Sequence, residues 1–434
     1  MSKLYDLPVI GIDIAANFSV ATVLRPNGDI FKKNFRFNHS LDGFNSFLEL
    51  FYKAEEEFNR KPKVFFEFTG IYHLTLLHFL VDRQIDANTI NPLITNSNKN
   101  FNIRKVKNDK LDSYSIARLC KFDDVKTSVY TSKDMLSLKL LVRDYYKLVD
   151  LKANAKKAFS NALYIYYPGL QKAFTDISGK TPLAFISKYP TPNDLLGADR
   201  YEVISFLKVS SHRSLVWATA KFGLILKIAS DAFVLGINSA TFTSKVRRFV
   251  STNNFYEQQR LDLLDEIKYL IDSVPFSDSF NQNISLLMSF KGAGFISAVT
   301  LLTEMNDIAN FHNANQLVAF FGVDPSVNES GNFKGDTNKM TKRGTATGRR
   351  ALYALALSSI RKTKSGVPMN KVLYDQYHIK LKGKKKKVRL VAIMNKLLRY
   401  IFSVLKNQKP YVERDPRIHQ QMFVNNTIKN NSAA

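Results

Sequence analysis

The chain has 434 residues, 45% of them hydrophobic and 12% aromatic, enough to bury sizeable cores and too many for a disordered basic tail. With 63 Lys and Arg against 37 Asp and Glu, its formal charge of +26 calls for a polyanionic partner, nucleic acid above all. A single cysteine, Cys120, excludes an intrachain disulfide and suits a reducing compartment. The start, "MSKLYDLPVIGIDIA", has no secretory pattern and no apolar run approaches membrane-spanning length, so a cytoplasmic protein with no membrane partner is expected.

Residues 8 to 37 read as a meander of three strands, "PVIGIDIA", "FSVATVLR" and "IFKKNFRF", with a "PNGD" turn before the third. "SLDGFNSFLELFYKAEEEFNR" has Ser40 as a helix cap and helical apolar spacing; "KVFFEFTG" is a strand with an acid near its end. "IYHLTLLHFLVDRQ" predicts a helix and "ANTINP" a strand. Three strands, helix, strand, helix, strand is the order of an RNase H-like fold. From about 133 to 166 a long helix with basic residues on its polar side can pack as a coiled coil, with "YEQQRLDLLDEIKYLIDSV" as its partner, or lie along a phosphate backbone. Residues 168 to 253, punctuated by Gly, Pro and Ser, read as a helical insertion with little chemistry. Near 284, "SLLMSFKGAGFISAVTLLTEM" places Gly292 and Gly294, after Lys291, in a hairpin whose backbone amides can approach phosphate. A polar, glycine-rich stretch, "SVNESGNFKGDTNKMTKRGTATGRR", follows, then a run Lys384, Lys385, Lys386 and Lys387 ahead of an amphipathic helix. The last residues are polar.

The chemistry is carried by acids. Ile10, Ile12 and Ile14 share one strand face, which puts Asp13 on the other. Glu67 sits between Phe66 and Phe68 in the same unusual way. Asp109 and Asp112, three apart in "KNDKLDSYSIARL", share a helix face; by themselves they are also ordinary capping and first-turn residues. Four carboxylates converging on one or two divalent cations about 4 Å apart is the arrangement that activates a nucleophile in phosphodiester chemistry. Seven scattered histidines offer no zinc spacing, so the metal expected is Mg2+ or Mn2+.

"GIDIA", "FEFTGIYH" and "KNDKLDSYSIARL" resemble the three N-terminal blocks of the DEDD transposases of bacterial insertion sequences, the insertion-sequence 110 family. "FKGAGFISAVTLL" is similar to that family's glycine hairpin, "FFGVDPSVNESG" with "TKRGTATGRRAL" to its serine block, and the segment from Leu381 to Tyr411 to its closing helix. The resemblance implies a RuvC-like, RNase H-like mixed sheet domain over residues 1–130. A helical coiled-coil region with an insertion would span 131–283. A mainly helical serine transposase domain with a helix-hairpin-helix-like segment would span 284–415, leaving a disordered tail over 416–434. It also implies that Asp13, Glu67, Asp109 and Asp112 bind metal, and that Ser330 attacks a phosphodiester to form a covalent link to DNA. Lys339, Lys342, Arg343, Arg349 and Arg350, with the lysine run and the glycine hairpin, would bind nucleic acid.

By the same resemblance the partners are double-stranded donor and target DNA and a noncoding bridge RNA that pairs with both, read by a homodimer that assembles into a synaptic tetramer. The chain departs from the family where Glu329 precedes Ser330 and Asn332 follows Gly331. Ser326 is a competing nucleophile, but it does not directly precede a glycine. Two rival readings stay open. One is an RNase H-like nuclease or junction resolvase in which water attacks; the other is a binding protein whose acids are structural.

Overall fold

The computed structural model of the chain describes residues 6–68, 70–92, 95, 109–123, 125, 127–128, 131–237, 239, 241–326, 329–330, 333–334 and 339–414. Of residues 109–111, 127–128, 329–330 and 333–334 it describes the backbone only. The polar tail expected over 416–434 lies outside the described residues. The chain divides into two compact units, residues 1–133 and 134–434.

In the first unit, β1 (Val9–Ile14), β2 (Phe18–Leu24) and β3 (Ile30–Asn38) form the expected antiparallel meander. The turn between β2 and β3 works because Gly28 takes φ +92°, a region closed to most side chains, and donates its N–H to the Arg25 carbonyl. Then come α1 (Leu41–Phe58), β4 (Lys63–Glu67), α2 (His73–Val81), β5 (Ala87–Ile90), α3 (Asp109–Phe122) and the two-residue β6 (Thr127–Ser128). Ser40 caps α1 by accepting from the Gly43 N–H. The sheet order is β3-β2-β1-β4-β5-β6, with β4 parallel to β1 and to β5 and the other pairs antiparallel. This mixed sheet, with α1 and α2 on one face and α3 on the other, is compatible with an RNase H-like α/β domain.

The second unit is helical. Its two longest elements, α4 (Lys133–Tyr166) and α10 (Thr241–Ser273), lie antiparallel, as shown by Tyr145 meeting Arg260, Lys152 meeting Glu257 and Phe159 stacking on Phe249 with ring centres 4.0 Å apart. Between them in sequence stand α5 (Leu170–Ala173), α6 (Lys180–Lys188), α7 (Pro192–Leu196), α8 (Arg200–Ser211) and α9 (Leu215–Leu235). These enclose their own apolar core, which includes Phe185, Val203, Leu207, Ile225 and Phe242. A second core takes the first turns of α4 and the last turns of α10. Around it pack α11 (Ser277–Met288), α12 (Phe295–Met305), α13 (Ala314–Phe320), α14 (Ala346–Ser359), α15 (Lys371–Asp375) and α16 (Lys386–Asn407). Along α16, Leu390, Ile393, Met394, Leu397, Leu398, Ile401, Val404 and Leu405 recur at spacings of three and four and are all buried, each contributing roughly 1.5–3 kcal/mol of transfer free energy. A small hairpin, β7 (Glu329–Ser330) with β8 (Phe333–Lys334), lies between α13 and α14 in the chain.

Candidate active site

Strand alternation decides where the acids go. Ile10, Ile12 and Ile14 enter the core under α1 and α2, whereas Val9 enters the core under α3. Asp13 therefore stands on the α3 side. In β4, Val64 and Phe66 join the first core and Phe65 the second, so Glu67 stands on the α3 side too. The two strands are parallel, with Ile12 opposite Phe66, and Asp13 and Glu67 are the next positions along neighbouring strands. Both are at the carboxyl ends of parallel strands, the edge at which open α/β sheets carry their sites.

What brings α3 down onto these strands is Gly11. A Cβ added there would lie 2.3 Å from the Ala117 amide nitrogen and 2.4 Å from the Ser113 carbonyl oxygen, so no other residue admits the helix this closely. The Thr22 and Ser113 hydroxyls, buried, join at 2.9 Å and fix the helix laterally against β2. At its far end, Lys121 donates to the Leu7 carbonyl at 2.6 Å. Residues 113–117 over Gly11 and residue 121 near Leu7 mean that α3 runs antiparallel to β1. Its first turn, which holds Asp109 and Asp112, is thereby directed toward the Asp13 end of the strand. Asp13, Glu67 and Asp112 are each half-buried; the side chain of Asp109 lies outside the described residues.

Thr95 donates its hydroxyl to Glu67 Oε2 at 2.8 Å, an orienting contact that the sequence did not reveal because 28 residues separate the two. Behind β4, His73 packs against Phe66 and Phe68, and burial lowers its imidazole pKa below the usual 6.5, with the nearby His78 adding to the effect. The carboxylates are hard oxygen donors, the chemistry that Mg2+ or Mn2+ prefers. Among the described residues no three His, Cys, Asp or Glu side chains already form a metal-ligating cluster. The donor set and its shared sheet edge suit such an ion, and a complete set would draw on Asp109.

In the second unit, Ser330 ends β7, with Glu329 opposite Lys334 and Ser330 opposite Phe333. Its side chain, and Gly331 with Asn332, lie outside the described residues. The same two chain segments pair further down: Pro325 bridges Met340, and Thr341 donates its N–H to the Asp324 carbonyl. There the Ser326 hydroxyl accepts the Lys339 N–H at 3.1 Å, which gives the competing serine a structural job.

The basic residues divide into engaged and exposed. Arg349 donates to the Phe321 and Gly344 carbonyls, and Arg350 forms a two-pronged pair with Asp150, 2.8 Å on each arm, while lying over the Tyr146 ring. Lys339, Lys342 and Arg343 are exposed. In the glycine hairpin between α11 and α12, Gly292 has φ +90°, and a Cβ there would meet Ser358 Oγ at 2.2 Å; Gly294 begins α12 as its N-cap, and Lys291 is exposed. Lys384 to Lys387 are exposed around the N-terminus of α16, the positive end of that helix dipole, where cations are unfavourable until an anion covers them. Sequence reasoning missed Glu304, whose buried carboxylate is held by Lys139 at 3.1 Å and Arg143 at 3.0 Å. Its apolar neighbours in "LLTEM" were the available signal.

Two sequence models match the chain. One, of DEDD-type IS110 proteins and described as Transposase, covers residues 10–168; the other, described as Transposase IS116/IS110/IS902 family, covers residues 284–368. Together they take in more than half of the chain, including all four acids and Ser330. The chain belongs to the IS110 family of transposases. Among curated proteins, it is 26% identical over 176 residues to the pilin gene-inverting protein of Moraxella bovis, covering 40% of this chain and 51% of that protein. The Moraxella lacunata pilin gene-inverting protein matches to the same extent. Over 131 residues it is 30% identical to the transposase for insertion sequence element IS1111A of Coxiella burnetii, covering 30% of this chain and 35% of that protein. The chain thus spans about half or less of the length of these relatives. Residues 169–283 of this IS110-family chain lie in neither matched segment. Among the described residues no helix is long and apolar enough to cross a membrane.

Proposed function

We propose that this chain is a transposase that cuts and rejoins DNA at the ends of an insertion element, using Asp13, Glu67, Asp109 and Asp112 as metal ligands and Ser330 as nucleophile. The observation that carries the reading is the register of β1 with β4 beneath a helix seated on Gly11, which gives two strand acids and one helix start a common edge. When bound there, Mg2+ or Mn2+ supplies Lewis acidity, polarising the phosphate and stabilising the departing oxygen. The chain's own residues do the rest. Asp13, Glu67, Asp109 and Asp112 would hold the ion, and Thr95 holds the Glu67 carboxylate in position.

Ser330 Oγ gives its proton to solvent and forms a bond to phosphorus as the deoxyribose oxygen leaves and takes up a proton from solvent, which conserves the phosphodiester as a serine ester. Attack on that ester by a deoxyribose hydroxyl of the other duplex expels the serine and joins the new strands. Lys339, Lys342 and Arg343 hold flanking phosphates, Arg349 contributes from the loop it braces at Phe321 and Gly344, Arg350 joins them when a phosphate displaces Asp150, and Lys291 with the amides at Gly292 and Gly294 grips the backbone as a helix-hairpin-helix does. The Lys384–Lys387 cluster takes a further stretch of polyanion.

In this reading strand exchange needs the acids of the first unit as well as the serine of the second. The paired α4 and α10 serve as the coiled-coil spacer of a homodimer and, in synapsis, a tetramer. A bridge RNA supplies sequence choice by base pairing, and a charge of +26 suits RNA and DNA together. The domain limits proposed are 1–130, 131–283 and 284–415.

The test is a denaturing gel of wild type, Ser330→Ala and Asp13→Asn with Mg2+, the element's end DNA and its flanking noncoding RNA. A protein-linked DNA band that maps to Ser330 and vanishes in both variants is expected. Cut DNA without a linked band, undiminished in Ser330→Ala, would assign the nucleophile to water and the protein to the nucleases.

A further inference from the structure

The sheet face that carries Asp13 and Glu67 continues past them onto β3. Residues directly opposite in an antiparallel pair point to the same face, and the row through Asp13 runs Asp13, Val20, Arg36. Phe35 and Phe37 turn to the core under α1 and α2, so Arg36 points to the α3 side, two strand spacings or about 10 Å from the backbone of Asp13. There it is exposed, with its guanidinium carbon 3.8 Å from the centre of the Phe18 ring.

Lys33 joins it on that side. Residues three apart in a regular strand face opposite ways, but the chain takes φ +58° at Asn34, and the register of β3 against β2 shifts beside it, between Ala21 and Val23. Left-handed backbone away from glycine is uncommon, though asparagine tolerates it. The kink turns Lys33 to the α3 side, where its ammonium stands 5.7 Å from the ring centre of Tyr114 on α3.

Both cations are idle within the chain. Arg25 shows what a structural stack looks like: it lies over Phe31 and Phe58 and also pairs with Glu57 at 3.5 Å. Among the described residues neither Arg36 nor Lys33 forms an ion pair. A guanidinium seated against a ring face is fixed in place, and its remaining N–H donors are free for the two-pronged grip that suits a phosphate.

We infer that Arg36 and Lys33 are positioning residues for the DNA strand being cut, gripping phosphates next to the one held at the acids. The inference rests on the catalytic reading of those acids and extends it across the sheet. At about 3.4 Å of rise per nucleotide, a strand passes from Asp13 to Arg36 in about three nucleotides. The occupant is DNA because the row begins at the metal ligands, so the polyanion over Arg36 is continuous with the one that reacts there.

The test is binding of the full chain, with its flanking noncoding RNA, to end DNA in which single phosphates near the cleavage position are replaced by uncharged methylphosphonates. In wild type, one such replacement within about four nucleotides of the cut should weaken binding about fivefold. In Arg36→Ala the same replacement should change nothing, because that contact is already lost. On unmodified DNA, Arg36→Ala should bind about fivefold to tenfold more weakly, with a salt slope shallower by about one, and Arg36→Lys should recover part of the loss. Circular dichroism confirms that each variant is folded. An Arg36→Ala protein that binds as wild type does, or one that keeps every methylphosphonate penalty, overturns the proposal. Weaker binding of the noncoding RNA with all those penalties kept assigns the pair to RNA and overturns it as well. Cleavage is read separately: a wild type that neither cuts nor links DNA defeats the catalytic reading, while the methylphosphonate pattern still decides this one.

Discussion

The two units hold their proposed catalytic groups in opposite ways. In the first, Asp13 and Glu67 extend from the ends of paired strands, and the helix that bears Asp109 and Asp112 is seated on the sheet by backbone contact at Gly11. In the second, Ser330 ends the two-residue strand β7, on a hairpin tied lower down by the ladder between Asp324–Ser326 and Lys339–Thr341. Metal ligands need positions fixed to a fraction of an ångström, and strands beside a clamped helix give that. A nucleophile that must form and release a bond to a long polymer is better carried on an extension. The contrast predicts that changes in the first unit act through geometry or folding, and changes in the serine hairpin act on chemistry alone.

The largest effect expected is on strand cleavage. Asp13→Asn keeps shape and removes a charge, and it should lower cleavage by roughly 10³-fold or more while leaving thermal stability near wild type. Ser330→Ala should abolish the covalent species just as completely. Separate gels for total cleavage and for linked DNA distinguish the two, and an Asp13→Asn protein that cuts at wild-type rate would remove the acids from the chemistry.

Next come two substitutions that break the units themselves. Gly11→Val drives a side chain into the backbone of α3 and should destabilise the first unit by about 3 kcal/mol or more, with loss of cleavage following from loss of the helix seat. Its counterpart in the second unit is Glu304→Gln, which leaves Lys139 and Arg143 facing a neutral group; solvent reaches Arg143, 43% exposed, and part of Lys139, so the cost is about 1–2 kcal/mol. In calorimetry each should lower one transition; a single joint shift in both variants would mean that the units unfold together.

Much of the first unit is legible in its sequence, for local reasons. Alternation, the Pro26 to Asp29 turn and the Ser40 cap are short-range signals, and they give the meander, α1 and the faces of Asp13 and Glu67. The seat at Gly11 is not legible, because a glycine in a strand reads as a weakness until the helix about 100 residues later is seen against it. Nor could the sequence show that Arg350 already has a carboxylate partner, since Asp150 is 200 residues away. Residues 168–253 read as mixed because the helices before α9 are short and separated by Gly and Pro. The caps at Thr191, Asp199 and Ser214 each start a helix there, and only the shared core of Phe185, Leu207 and Ile225 makes them one structure.

A smaller effect follows from acid. Burial lowers the pKa of His39, His73 and His78, all in the first unit, below the ordinary 6.5. The unfolded chain then binds protons that the folded unit refuses, so stability rises with pH across the window below 6.5 and falls on acidification from about pH 7 toward 5. His73 is one of the three, and His73→Phe keeps the packing on Phe66 and Phe68 while removing its titration. The melting temperature of the first transition should fall by a few degrees between about pH 7 and 5 in wild type and by less in His73→Phe. Equal slopes would place the acid response on the carboxylates.

The smallest effect separates holding from binding in the serine unit. Asp150 and Arg350 are both substantially exposed, so Asp150→Asn should cost less than about 1 kcal/mol of stability. Its consequence lies elsewhere. In wild type the guanidinium of Arg350 is occupied by a carboxylate, and a phosphate must displace it; once that carboxylate is replaced by a neutral amide, the arginine is open to DNA. DNA affinity should therefore rise by about twofold to fivefold in Asp150→Asn, with a steeper dependence on salt, because one more cation is available to release a counterion. Arg350→Ala, by contrast, should weaken binding. If Asp150→Asn binds DNA as wild type does, the pair is structural in the complex as well, and the phosphate contacts rest on Lys339, Lys342 and Arg343.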